Sequence, residues 1–270
     1  MLVDSHCHLD YLQREGQNLD DVVARAKNAG VGIMVTISTK LSTFPEVRAI
    51  AERYDSVFCS VGIHPHDADE EFDGNSSALT EFLVKQAEHT KVVAIGETGL
   101  DYYYEHSKRD AQKESFRAHI AASRITGLPL VVHTRDADDD TMAILEDEMG
   151  KGAFPGLIHC FSATDELARR SVAIGMSISL SGIVTFKSAQ SIRDTVQGLD
   201  MESLLVETDS PYLAPAPHRG KKNEPAFVAH TAAAVAELKA LSADDLADAT
   251  TENFYRLFSK IDRSAAGARA

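Results

Sequence analysis

The sequence predicts a closed (β/α)8 barrel, and two observations carry that expectation. Eight apolar, β-branched runs recur at fairly even spacing, with helix-like segments between them. His, Glu and Asp stand at the C-terminal ends of those runs and not at their starts. In a barrel of this kind the C-terminal ends of the strands form one shared mouth, where the active site is built.

The first run covers residues 1–6 and leads into His6-Cys-His8. The next seven cover 32–38, 57–63, 92–97, 128–133, 156–159, 176–180 and 204–209. Near-continuous apolar runs suit parallel strands buried on both faces. The first connecting helix, 19–29, stops at Gly30. Segments 44–54, 78–89 and 111–126 are amphipathic at helical spacing, the last ending at Gly127. Segments 140–149, 165–173 and 189–197 fill the next gaps. A Pro-rich loop spans 210–223, and Asn223-Glu-Pro225 reads as a helix start. Ser242-Ala-Asp-Asp245 resembles a capping box, with Asp in place of Glu, opening the last helix. The tail from residue 262 is small and polar and is expected to fray. No repeat, low-complexity segment or boundary interrupts 1–270, so one domain is expected. The runner-up is a doubly wound open sheet. It would carry a Gly-rich nucleotide loop after the first strand, and here His6-Cys-His8 holds that place.

Composition narrows the class. With 44% hydrophobic and 25% charged residues, the chain reads as an ordinary soluble globular protein. No apolar stretch approaches the roughly 20 residues of a membrane span. The start shows no charged n-region, apolar h-region and cleavage site. Cys7, Cys59 and Cys160 lie in apolar runs without paired spacing. They read as buried small hydrophobes in a reducing compartment. A cytoplasmic monomer with no membrane partner is the expectation. The net charge of −14 weighs against any surface that grips nucleic acid broadly. A nucleic-acid substrate therefore needs local positive charge, or charge supplied by metal ions.

The residues that carry chemistry begin at the first strand. Positions i and i+2 of a strand share a face, so His6 and His8 can meet one ion. Neutral imidazole is the commonest protein ligand for borderline metals. Taken alone, such a pair is as often merely solvated. The other strand ends change that balance: His64 follows the third run, Glu97 ends the fourth, His133 the fifth, His159 the sixth and Asp209 the eighth. His6, His8, His133, His159, Glu97 and Asp209 make six donors, too many for one tetrahedral zinc. They suit two divalent ions bridged by a carboxylate. Mixed nitrogen and oxygen donors fit Zn2+, Mn2+, Co2+ or Fe2+, and Mg2+ fits the carboxylate-rich half. Arg135 lies two residues after His133, on the same face, and could hold a phosphate bidentately or pair with Asp101. Tyr102-Tyr-Tyr104 could stack on a base or simply pack the loop.

Six ordered motifs then carry a resemblance. They are Asp4-Ser-His-Cys-His-Leu-Asp10, Gly62-Ile-His-Pro-His66, Gly96-Glu-Thr-Gly-Leu-Asp-Tyr102, Val132-His-Thr-Arg-Asp136, His159-Cys-Phe-Ser162 and Glu207-Thr-Asp-Ser-Pro-Tyr-Leu-Ala-Pro215. Together they resemble the motif series of the TatD-type metal-dependent deoxyribonucleases, of the amidohydrolase superfamily. The likeness covers nearly the whole chain. It implies a (β/α)8 barrel, a two-metal site and phosphodiester hydrolysis of DNA, often as a 3′ to 5′ exonuclease. Carried over by position, one metal would be held by His6, His8, Glu97 and Asp209, and the second by Glu97, His133 and His159. Glu97 would bridge them, and His64 would contact the substrate phosphate.

Physical chemistry assigns roles to that set. Asp209 could accept a proton from the attacking water, and His64 could donate to a phosphoryl oxygen. The basic run His218-Arg-Gly-Lys-Lys222, with Gly220 allowing close approach, could receive a phosphate backbone through Arg219, or only aid solubility. Three functions are weighed. One is a metal-dependent deoxyribonuclease, with DNA, or else RNA, as substrate. Another is a hydrolase of the same site acting on an ester or amide, such as an aminoacyl-tRNA deacylase. The third, a non-catalytic binding barrel, is disfavoured because every expected ligand is present.

Overall fold

The structure is a computed structural model that describes residues 1–263. Most of the tail expected to fray, 264–270, lies outside the described residues. Eight strands form in sequence order: β1 (Leu2–Cys7), β2 (Val31–Thr36), β3 (Val57–Val61), β4 (Val92–Asp101), β5 (Leu130–Arg135), β6 (Gly156–Ile158), β7 (Ser177–Leu180) and β8 (Leu204–Val206). Each pairs in parallel with the next. The ring closes just past β8, where Ser210 bridges Cys7. There Asp209 N donates to His6 O at 2.9 Å and His8 N donates to Ser210 O at 2.8 Å. The fold is therefore the (β/α)8 barrel expected from the strand pattern.

Several of the helices that separate the strands are bounded by caps or glycines that the sequence supplies. Leu19–Asn28 opens under Asn18, whose side chain accepts from Asp20 N, and gives way to Gly30 at φ +84°. Arg109–Thr126 ends at Gly127, left-handed at φ +69°. Ser76–Gln86 starts two residues earlier than expected, since Asn75 caps it by accepting from Ala78 N. The last helix, Ala243–Leu257, is capped by Ser242, which accepts from Asp245 N at 3.1 Å and donates to Asp245 Oδ2 at 2.7 Å. Two short helices, Leu9–Arg14 and Ala68–Glu71, were not expected. Both sit in strand-to-helix loops at the mouth, too short for a periodic signal.

Two layers of core position the mouth. The larger layer lies between strands and helices. A second cluster joins Val3, Ile33, Phe58, Val93, Val131, Leu157 and Leu205 to Phe254, Phe258 and Ile261 at the end of the chain. These aromatic rings cover the strands away from the mouth and leave the other end open.

The strand ends differ from expectation in two places that matter. β4 does not stop at Glu97. Thr98, Gly99, Leu100 and Asp101 go on pairing with Val132, His133, Thr134 and Arg135. Glu97 is thus held within a strand. β8, conversely, ends at Val206, so Glu207 and Asp209 lie on the irregular segment beyond it, with Asp209 at φ +57°.

Candidate metal centre

Glu97 is the middle of the site. It is buried, and its two oxygens face different histidines. Oε2 lies 3.4 Å from His6 Nε2 and 4.0 Å from His8 Nε2. Oε1 lies 2.7 Å from His159 Nε2, 3.2 Å from His133 Nδ1 and 3.4 Å from His64 Nε2. Asp209 joins the first group: its Oδ1 is 3.4 Å from His8 Nε2 and 3.6 Å from His6 Nε2. His6 and His8 bring their Nε2 atoms to 3.3 Å, and His133 Nδ1 approaches His159 Nε2 at the same distance. All six residues expected as ligands converge, together with His64.

The donors fit divalent cations. Glu97 Oε2 is buried without a hydrogen bond, a costly state for a carboxylate oxygen unless a cation meets it. Among the described residues, the ion pairs of Glu97 are all with histidines. Burial alone would raise the Glu97 pKa, but His159, His64 and His6 outweigh it and hold the carboxyl well below its usual range. Asp209 behaves likewise: burial raises its pKa, and the hydrogen bond from His8 carries it below the ordinary value. Two ionised carboxylates ringed by imidazoles form a nitrogen and oxygen donor set suited to first-row divalent metals.

An outer layer of carboxylates orients these rings. Glu207 Oε1 lies 3.3 Å from His159 Nδ1 and accepts from Cys160 N at 2.8 Å. Asp101 Oδ2 lies 3.1 Å from His133 Nε2 and 2.8 Å from His66 Nε2. Burial opposes ionisation of Asp101, but hydrogen bonds with His133 and His66 hold its pKa far down. Carboxylates on the distal nitrogen of a ligating histidine fix its tautomer and raise its basicity. Asp4 anchors the segment that carries Asp209: it accepts from Thr208 N at 2.8 Å and Thr208 Oγ1 at 2.6 Å.

These outer groups escaped the sequence reading; their spacing places them on the site's faces but does not say which ring each one reaches. Glu207 stands two residues before Asp209, the interval that made His6 and His8 conspicuous. Asp101 returns to the face of Glu97 once β4 continues through it. Cys160 also departs from expectation. It is half-buried, at φ +44°, and lines the cleft instead of the core, with Sγ 3.2 Å from Ser181 Oγ. Cys7 and Cys59 are buried as expected.

A cleft of about 1500 Å3 opens over the centre and runs along the loops after β4, β5 and β6. His64 and Arg135 both line it. The Arg135 guanidinium stands 4.1 Å from the Tyr103 ring centroid and 4.8 Å from that of Tyr104, not in the alternative ion pair with Asp101. Arg219 is elsewhere: it is exposed, outside the lining of the cleft, with its guanidinium 3.5 Å over the Phe186 ring. No helix of the described residues is long and apolar enough to cross a membrane.

Comparison with known proteins settles the lineage. The model of the family described as TatD related DNase matches residues 3–259. The chain belongs to this family. An uncharacterized metal-dependent hydrolase of Escherichia coli K12, YcfH, is 44% identical over 97% of each chain. An uncharacterized metal-dependent hydrolase of Bacillus subtilis 168, YabD, is 40% identical over 96% of this chain and 99% of its own. The crystal structure of YjjV, a TatD homologue from E. coli K12, superposes with a TM-score of 0.86 at 29% identity, covering 96% of this chain and 98% of that one. The molecule is thus a metal-dependent hydrolase of the TatD family, built on the barrel that the strand pattern indicates.

Proposed function

We propose that this chain hydrolyses phosphodiester bonds of DNA, as a 3′ to 5′ exonuclease, at a centre of two divalent ions such as Mg2+, Mn2+ or Zn2+. One observation carries the reading. The two oxygens of Glu97 face two separate nitrogen sets, one completed by Asp209. His6, His8, Glu97 and Asp209 would hold one ion, and Glu97, His133 and His159 the other. Ions held there would supply Lewis-acid charge and a nucleophile deprotonated near neutral pH.

The protein's own groups do the rest. Asp209 lies at the rim of the first set, where it accepts the proton of the attacking water. His64 Nδ1 accepts from His66 N at 3.1 Å, which assigns the proton to Nε2 and makes that nitrogen a donor into the site. Burial lowers the His64 pKa to about 4, so the ring donates as neutral imidazole. It serves a phosphoryl oxygen better than it serves a metal. Arg135, on the cleft wall, adds the cation that meets the substrate's charge.

A second reading has its own observation. Asp136, Asp138 and Asp139 line the same cleft and disfavour a long polyanion. The same residues could then cleave an ester or amide of a smaller or less charged substrate, such as a free aminoacyl ester. The test refills metal-stripped protein with Mg2+, Mn2+ or Zn2+ and offers labelled single-stranded DNA. Shortening from the 3′ end is expected, and Asp209→Asn should slow it by at least about a hundred-fold at saturating metal. Metal-dependent cleavage of an aminoacyl ester, with DNA untouched, decides for the second reading.

A further inference from the structure

Five of the chain's seven tyrosines line the mouth cleft: Tyr11, Tyr102, Tyr103, Tyr104 and Tyr212. Tyr102 is occupied structurally. Its hydroxyl donates to Asp140 Oδ2 at 2.6 Å, and the Arg109 guanidinium covers its ring at 4.0 Å. Tyr103 and Tyr104 are different, with 57% and 48% of their surface left in water. Large aromatic rings left open on the wall of a cleft mark a binding surface more often than scattered exposure does.

These two rings are held in place. They meet edge to face at 4.8 Å, and Tyr104 lies nearly parallel to His106 at 5.5 Å. Arg135 braces both rings. Asp101 Oδ1 accepts from Tyr103 N at 3.0 Å and Tyr104 N at 2.9 Å. The other oxygen of the same carboxylate holds His133 Nε2, whose Nδ1 faces Glu97. One side chain therefore sets the distance between the exposed rings and the metal group.

We propose that Tyr103, Tyr104 and Arg135 form a stacking platform for a nucleobase of the substrate, beside the phosphate that reaches the metal group. The proposal rests on the phosphodiesterase reading and names the part of the substrate this wall receives. Bases stack on tyrosine faces and guanidinium planes without regard to sequence. The acidic residues Asp136, Asp138 and Asp139 also line this cleft and repel further phosphates, whereas Asp140 is paired with Lys113 at 2.7 Å. A flat, uncharged ring is the group that suits both features.

Binding tests this without turnover. Mn2+-loaded protein is titrated calorimetrically with deoxyadenosine 5′-monophosphate and with inorganic phosphate. The nucleotide should bind at least about ten-fold tighter than phosphate, the lower range for one stacked base. Tyr103→Ala with Tyr104→Ala should erase that preference and leave phosphate affinity within about two-fold. Tyr103→Phe with Tyr104→Phe should keep it, because a phenyl face also stacks. The proposal is overturned if the unsubstituted protein does not prefer the nucleotide. Equal loss of both ligands in the alanine variant also overturns it, as does a full loss in the phenylalanine variant. Failure to cut any phosphodiester while the preference persists sinks the nuclease reading and leaves the platform standing. Cleavage of DNA without the preference does the reverse.

Discussion

Glu97 concentrates at one residue what the whole site requires. Its oxygens divide between two histidine groups, so changing it should act on both at once. Glu97→Gln removes one negative charge and leaves an amide where both groups need an anion. The expected result is protein that folds but keeps well under one tightly held metal equivalent, measured by elemental analysis after dialysis. Two tightly held equivalents in the variant would rule out a bridging role. At this scale the inner residues were legible because each is a His, Glu or Asp in an otherwise apolar run. Glu207 and Asp101 were not, for a physical reason. They touch histidines through a distal nitrogen, and nothing in the spacing of an outer residue declares which ring it reaches.

At the scale of the element, β4 is where sequence and structure part. Gly96-Glu-Thr-Gly99 reads as punctuation, and Gly in a run usually ends or bends a strand. Here the glycines let the strand continue. A Cβ on Gly99 would stand 2.0 Å from the carbonyl oxygen of His133, and a Cβ on Gly62 would stand 2.4 Å from Gly96 Cα. Backbone replaces side chain so that β3, β4 and β5 lie close enough for Glu97 to reach two histidine groups. Gly99 also sits at φ +135°, a conformation that other residues rarely adopt. Gly99→Ala should therefore destabilise the fold by about 3 kcal/mol or more, combining overpacking with backbone strain. A shift in the urea midpoint followed by circular dichroism measures it. A change below about 0.5 kcal/mol would mean that β4 and β5 can separate without cost. The short helices at the mouth were illegible for a different reason. Six or four residues cannot show a 3.6-residue period, and tertiary contacts decide their form.

Across the whole molecule, the barrel was legible because its strands are apolar on both faces and evenly spaced. What the pattern could not convey is where long loops lie over the mouth. The loop after β8 shows this. Tyr212 and Leu213 line the cleft, and Asn223 Nδ2 ties the loop down by donating to Thr208 O at 2.9 Å and Tyr212 O at 2.6 Å. Between these anchors the basic run turns outward. Lys222 pairs with Glu15 at 2.9 Å, while Arg219 covers Phe186.

That arrangement sharpens what the basic run can do in a molecule of net charge −14. Arg219 and Lys221 are exposed and stand outside the cleft lining, so a single nucleotide at the centre does not need them. A longer strand leaving the acidic cleft would find in them positive charge beyond that of Arg135 on the cleft wall. Arg219→Ala with Lys221→Ala should therefore raise KM for a polynucleotide several-fold. It should also reduce the slope of log KM against log salt by up to about 1.5, the share of two single-strand phosphates. Hydrolysis of a small phosphodiester should stay unchanged, because neither side chain touches the metal group. Equal losses on both substrates would show that the loop shapes the centre instead. Unchanged salt dependence on the polynucleotide would show that the strand leaves by another path, and the acidic surface would then limit this enzyme to short substrates.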